Sequence, residues 1–131
     1  MRILIAEDDF ASRKFMLKFL SKFGECDITV DGMEAVDAYL MALDADTPYD
    51  LVCLDIMMPA LDGYPALKAI RDIEQERKIP EDQRAKIIMT TALNEGANVN
   101  KAFDLGCVAY AGKPIDQVKF ESVLRKLELI D

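Results

Sequence analysis

The chain has 131 residues, 51% of them apolar and 31% charged, which makes one ordinary globular domain with a real core and leaves no length for a second. With 16 Lys and Arg against 24 Asp and Glu, the formal charge is −8; this excludes sequence-independent binding to nucleic acid or to an anionic membrane, since both need clustered cations, and it points to protein partners. Acids follow MRILIA at once and no later apolar run has the length of a membrane span, while Cys26, Cys53 and Cys107 are an odd set without C-x-x-C spacing, so a reduced, cytoplasmic protein without disulfides or zinc is expected.

The first strand is read at Ile3–Ala6, closed by Glu7-Asp8-Asp9. A helix follows over Ala11–Phe23, where Met16, Phe19, Leu20 and Phe23 recur at three- and four-residue steps, with Gly24 as its expected C-cap. Ile28–Val30 is the second strand, Asp31-Gly32 a turn and Met33–Ala42 the second helix. The third strand, Leu51–Leu54, runs into Asp55, and Pro65–Arg77 is the third helix. The segment Glu74–Lys86 (EQERKIPEDQRAK) is almost wholly polar around Pro80 and reads as a solvated surface connection, with a partner contact as the alternative. Ile87–Met89 is the fourth strand, closed by Thr90-Thr91-Ala92. The fourth helix, Ala97–Leu105, opens among weak helix formers (Asn94, Gly96, Asn98, Asn100) and ends at a Gly106 cap. Val108–Ala111 is the fifth strand, leading through Gly112 into Lys113-Pro114, and Asp116 caps a last helix over Val118–Leu127. Strict alternation of doubly apolar strands with helices implies a doubly wound α/β fold: a parallel, five-stranded sheet with helices on both faces.

In such a sheet, ligands bind beyond the carboxyl ends of the strands. The first strand ends in Glu7, Asp8 and Asp9 and the third in Asp55, so several carboxylates converge if these strands are neighbours. Carboxylates brought together hold either protons or a cation, and a hard-oxygen site with few protein ligands suits Mg²⁺. Asp9 alone is explained equally well as the N-cap of the helix opening at Phe10, whereas no helix begins after Asp55 and capping does not explain it. Thr91 and Lys113 close two further strands; each alone is unremarkable, but a dication, a carboxylate, a hydroxyl and an ammonium around one point suit a phosphoryl group.

These motifs, Glu7-Asp8-Asp9, Asp55-Ile56-Met57-Met58-Pro59 with Asp62-Gly63, Thr91-Ala92 and Lys113-Pro114, resemble in type, order and position those of the response-regulator receiver family, over Ile3 to Leu127. The resemblance implies a flavodoxin-like strand order 2-1-3-4-5 and a stand-alone two-component switch rather than a turnover enzyme. It implies that Asp55 is the phosphoacceptor and a ligand of Mg²⁺, with Asp9 binding the metal directly, Asp8 through water and Met57 through its backbone carbonyl. Thr91 and Lys113 would grip the phosphoryl oxygens, and Lys113-Pro114 would be cis. Thr91 and Tyr110 would form the switch that remodels the face of the fourth helix, fifth strand and fifth helix, although a half-buried edge-strand tyrosine is an equal reading of Tyr110. Met57 and Leu93, bulky and unable to orient water, would tune the phosphate lifetime towards slow loss. The implied partners are a sensor histidine kinase or histidine phosphotransfer protein and a downstream protein, with the domain itself a monomer or weak dimer. Phe10 and Leu17 share a flank beside Asp9 that suits a docking helix or, alternatively, extends the core stripe. No effector domain follows Asp131, so output by docking or phosphate relay is expected.

Three other readings stand beside this one. A phosphatase or phosphotransferase with an aspartyl nucleophile would want an acid–base Asp where Met57 stands. A flavin-binding protein of the same fold class would want a glycine-rich phosphate loop after the first strand, not three acids. A degenerate receiver serving only as a docking module would lack some of the site residues found here.

Overall fold

The structure is a computed structural model that describes residues 1–58, 62–92 and 99–131. Its elements run β1 (Arg2–Ala6), α1 (Phe10–Leu20), β2 (Glu25–Thr29), α2 (Gly32–Asp44), β3 (Leu51–Asp55), α3 (Gly63–Glu76), a 3-10 turn (Glu81–Gln83), β4 (Lys86–Ala92), α4 (Val99–Asp104), β5 (Ala109–Lys113) and α5 (Gln117–Lys126). All strand pairs are parallel, in the order β2-β1-β3-β4-β5. The expected strand order and fold class are those observed.

Period-two alternation divides the core in two. Leu4, Val52, Leu54, Ile87 and Met89 face α2, α3 and α4, packing on Tyr39, Leu67, Ile70 and Ala102. Ile3, Ile5, Leu51, Cys53 and Ile88 face α1 and α5, packing on Met16, Phe19, Leu20, Phe120 and Leu124. Full burial of each large aliphatic side chain contributes about 1.5–3 kcal/mol, so the three central strands anchor the domain. Asp31 and Asp116 cap their helices, accepting from the amides of Glu34 and Lys119 at 2.8 and 3.2 Å. Gly106 takes φ +106° just beyond α4, as a left-handed cap requires.

Several expected boundaries move. Strand β2 begins at Glu25 rather than Ile28, because its register against β1 pairs Arg2 with Glu25 and carries polar residues along a sheet edge. Helix α1 stops at Leu20, and Gly24 is not its cap: a Cβ there would collide with the Met1 carbonyl, which accepts from the Glu25 amide. The expected surface connection at Glu74–Lys86 holds in its middle, where Glu76–Lys78 and Glu81–Gln83 are exposed, and fails at its ends, where Glu74 and Ala85 are buried and Lys86 opens β4. Helix α3 continues through Glu76, and Glu74 is fully buried, its carboxylate accepting from Tyr39 Oη (2.5 Å), Arg71 Nη1 (2.6 Å) and the Ala85 amide (2.9 Å). Its polarity in the sequence is that of a satisfied interior charge. Residues 93–98, including Leu93 and the expected opening of the fourth helix, and Pro59 lie outside the described residues.

Candidate functional site

Three strand ends and one loop build the site. Strands β1 and β3 are adjacent, with Ala6 opposite Leu54, so Glu7 and Asp55 emerge side by side at the carboxyl edge of the sheet. Both are buried, at 2% and 4% exposure, whereas Asp8 is exposed. One carboxylate oxygen from each of Glu7, Asp8 and Asp55 lies within 4.8 Å of the others. From β5, the Lys113 ammonium pairs with Glu7 and lies 3.0 Å from Asp55 Oδ2. The Lys113-Pro114 bond is cis, as the resemblance implied.

Electrostatics follows from that crowding. Burial and then the adjoining Glu7 carboxylate push the Asp55 carboxyl above its ordinary range, and Lys113 offsets part of this. For Lys113, burial works against the charged form, but the bonds to Glu7 and Asp55 outweigh it and hold the ammonium more firmly protonated. Donors of this kind, few in number, all oxygen and with one ammonium among three carboxylates, match what a small hard dication requires.

Asp9 is not in this group. Helix α1 begins at Phe10, so Asp9 is its N-cap; its carboxylate accepts from the Ser12 amide at 2.9 Å, which lowers its pKa. Its own amide donates to Glu7 Oε2 at 3.2 Å. The structure therefore assembles Glu7 and Asp8 where the sequence reading chose Asp8 and Asp9. The signal was present: a helix starting at Phe10 occupies the Asp9 side chain and leaves the two preceding acids for the site.

The remaining residues surround this centre. Thr90, opposite Asp55 in the sheet, and Thr91 are both buried. Met57 stands 58% exposed two residues beyond Asp55. Gly63, held by its amide to the Ile56 carbonyl at 2.8 Å, lets α3 approach: a Cβ there would sit 2.6 Å from the Asp55 carbonyl oxygen. Tyr110 is half-buried beside Tyr64 and Thr91, with its Oη out of contact with solvent. Phe10 and Leu17 are exposed, which removes the reading that they extend the core.

Comparison with known proteins gives the same picture. Residues 3–125 match the response regulator receiver domain model. The chain is 34% identical over 121 residues to the chemotaxis protein CheY of Treponema pallidum, covering 90% of this chain and 76% of that one. Among solved structures, CheY in the CheX-CheY-BeF3-Mg²⁺ complex of Borrelia burgdorferi superposes with TM-score 0.79 at 28% identity, covering 97% of this chain and 89% of that one. The complex of the Saccharomyces cerevisiae phosphotransfer protein Ypd1 with the receiver domain of Ssk1 gives TM-score 0.79 at 26% identity, with 96% and 87% covered. The chain spans 55% or less of the length of several curated relatives that it matches. A five-stranded sheet in this order, an acidic centre at its carboxyl edge and a family match over nearly the whole length together make the chain a member of the response regulator receiver domain family of two-component signalling.

Proposed function

We propose that Asp55 accepts a phosphoryl group from a phosphohistidine on a sensor kinase or phosphotransfer protein, and that the domain is a switch rather than a turnover enzyme. The observation that carries this is a buried carboxylate at the end of β3, touching an ammonium and flanked by two further carboxylates. Asp55 Oδ forms the new bond to phosphorus while the P–N bond breaks, its electron pair leaving on the imidazole. Lys113 and Thr91 face the phosphoryl oxygens and compensate their charge. Glu7, Asp8 and Asp55 would hold Mg²⁺ with the Met57 carbonyl, and the ion would supply positive charge against the anionic oxygens of the transfer. Asp9 is left to cap α1.

Thr91 is buried at the end of β4 and adjoins Tyr110, so a shift of its hydroxyl towards a new phosphoryl group would be felt at Tyr110 and across α4, β5 and α5, where a downstream protein would read it. Mass spectrometry after incubation with acetyl phosphate and Mg²⁺ tests the assignment. A single phosphate adduct, absent in Asp55→Asn, is expected; an adduct that persists in the variant refutes it. Turnover of small phosphate esters by the wild type would instead favour an enzyme.

A further inference from the structure

We propose that Arg13, in the second turn of α1, is a positioning residue for the cation site: it holds the backbone that carries Glu7 and Asp8. The inference rests on reading Glu7, Asp8 and Asp55 as that site. A single guanidinium nitrogen, Arg13 Nη1, donates to the carbonyls of both Glu7 (3.2 Å) and Asp8 (3.3 Å). The guanidinium is held in turn over the Phe10 ring, 5.5 Å from its centroid. Asp9, next in sequence, is tied to the same helix by its own cap to Ser12. All three residues of the acidic run are thereby fastened to the first two turns of α1.

Such fastening matters because the run is frustrated. Glu7, Asp8 and Asp55 repel one another, and Asp8, the exposed member of the three, has water open to its side chain. Backbone carbonyls gripped from outside fix where the side chains begin, the task that outer-shell groups perform in metal sites. Arg13 is suited to it because a guanidinium is planar, stacks on an aromatic ring and stays charged at every relevant pH.

Charge alone would act in the opposite direction. A cation beside the centre repels an incoming dication, so a guanidinium that acted only through its field would weaken Mg²⁺ binding, and removing it would tighten binding. A purely structural Arg13 would change the stability of the Mg²⁺-free protein and leave affinity alone. The three roles differ in sign or in readout.

The experiment is calorimetric titration of the full chain with Mg²⁺, beside the melting temperature in a chelator, for the wild type, Arg13→Met and Arg13→Lys. Arg13→Met keeps an apolar stem against Phe10 and removes both donors; its Kd for Mg²⁺ should rise roughly tenfold. Arg13→Lys keeps the charge and can reach one carbonyl, so it should weaken binding by less, and it carries the test should Arg13→Met fail to fold. Unchanged or tighter Mg²⁺ binding in the folded variants would overturn the inference. A wild type that takes up no Mg²⁺ would overturn the reading beneath it, and that outcome is seen without any variant.

Discussion

Two carboxylate clusters lie at opposite ends of the strands, one fully buried and one open to water at Asp8, and their chemistry is very different. At the amino-terminal edge, Glu74 meets one guanidinium, one phenol and one amide; Arg71 also donates to the carbonyls of Ala85 and Gly106. Charges there cancel one to one and the carboxylate's acceptors are filled. At the carboxyl edge, Lys113 pairs with Glu7 and Asp55, and Asp8 lies beside them with no ion pair of its own among the described residues, so the carboxylates of the group outnumber the ammonium that meets them. A cluster that is complete in itself serves the fold, and one left short of positive charge is built for something that arrives.

The largest expected effect breaks that comparison directly. Glu74→Ala strands Arg71 and Tyr39 in the interior and should cost about 3–5 kcal/mol in urea unfolding. Asp55→Asn removes repulsion with Glu7 and should leave stability unchanged or raised. Equal losses in the two variants would show both clusters to be structural.

Mg²⁺ sharpens the contrast. It should raise the melting temperature of the wild type and of Glu74→Gln, since only the folded state offers the site, by the equivalent of about 2.7 kcal/mol at a hundredfold excess over Kd. Asp8→Ala should lose this gain. Asp9→Ala should cost about 0.5–2 kcal/mol with or without metal, as the loss of a cap, and keep the gain. Loss of the metal-dependent shift in Asp9→Ala would restore Asp9 as a ligand.

Much of this was legible. Apolar runs marked all five strands, and Asp55 stood out because no helix began after it. What failed did so for physical reasons. Polar edge residues Glu25 and Asp27 hid the start of β2, whose regularity comes from pairing with β1 and not from its own periodicity. Glu74 looked like solvated surface because a sequence does not show that Tyr39 and Ala85, distant along the chain, fill its acceptors. The acids grouped with Asp55 fall one position before those expected because capping and ligation compete for the same residue type, and the helix start at Phe10 assigns Asp9 to the cap.

Alkali should act on the closed side of the molecule. Burial, then Glu74, pushes the Tyr39 phenol far above its usual range; burial, then Asp27, takes Tyr49 to about 12; burial takes the Cys107 thiol to about 11. Folded-state pKa values above unfolded ones give stability that is complete below the unfolded pKa and lost as pH climbs towards the folded one. Stability should therefore hold to about pH 8.5 and then fall, first through thiols and from about pH 10 through phenols. Denaturant midpoints across pH 7–11 check this, and a rise with pH would contradict it. Of these tyrosines, Tyr39 should ionise last in a spectrophotometric titration.

The smallest effect concerns Met57, whose exposed thioether cannot hold a water in line with phosphorus. Met57→Asn should shorten the phosphoprotein's half-life severalfold in a decay assay without changing thermal stability. An unchanged half-life would mean that backbone groups or another protein set the lifetime.

Lys113 belongs to the outermost strand, yet its ammonium rests on carboxylates at the carboxyl ends of β1 and β3, across the full width of β4. Mechanically it is a guy-line from the rim of the sheet to its centre. Any change of charge at the centre alters the tension on that line, and its anchor lies three residues from Tyr110. The rim of this sheet is strung to register what happens in the middle.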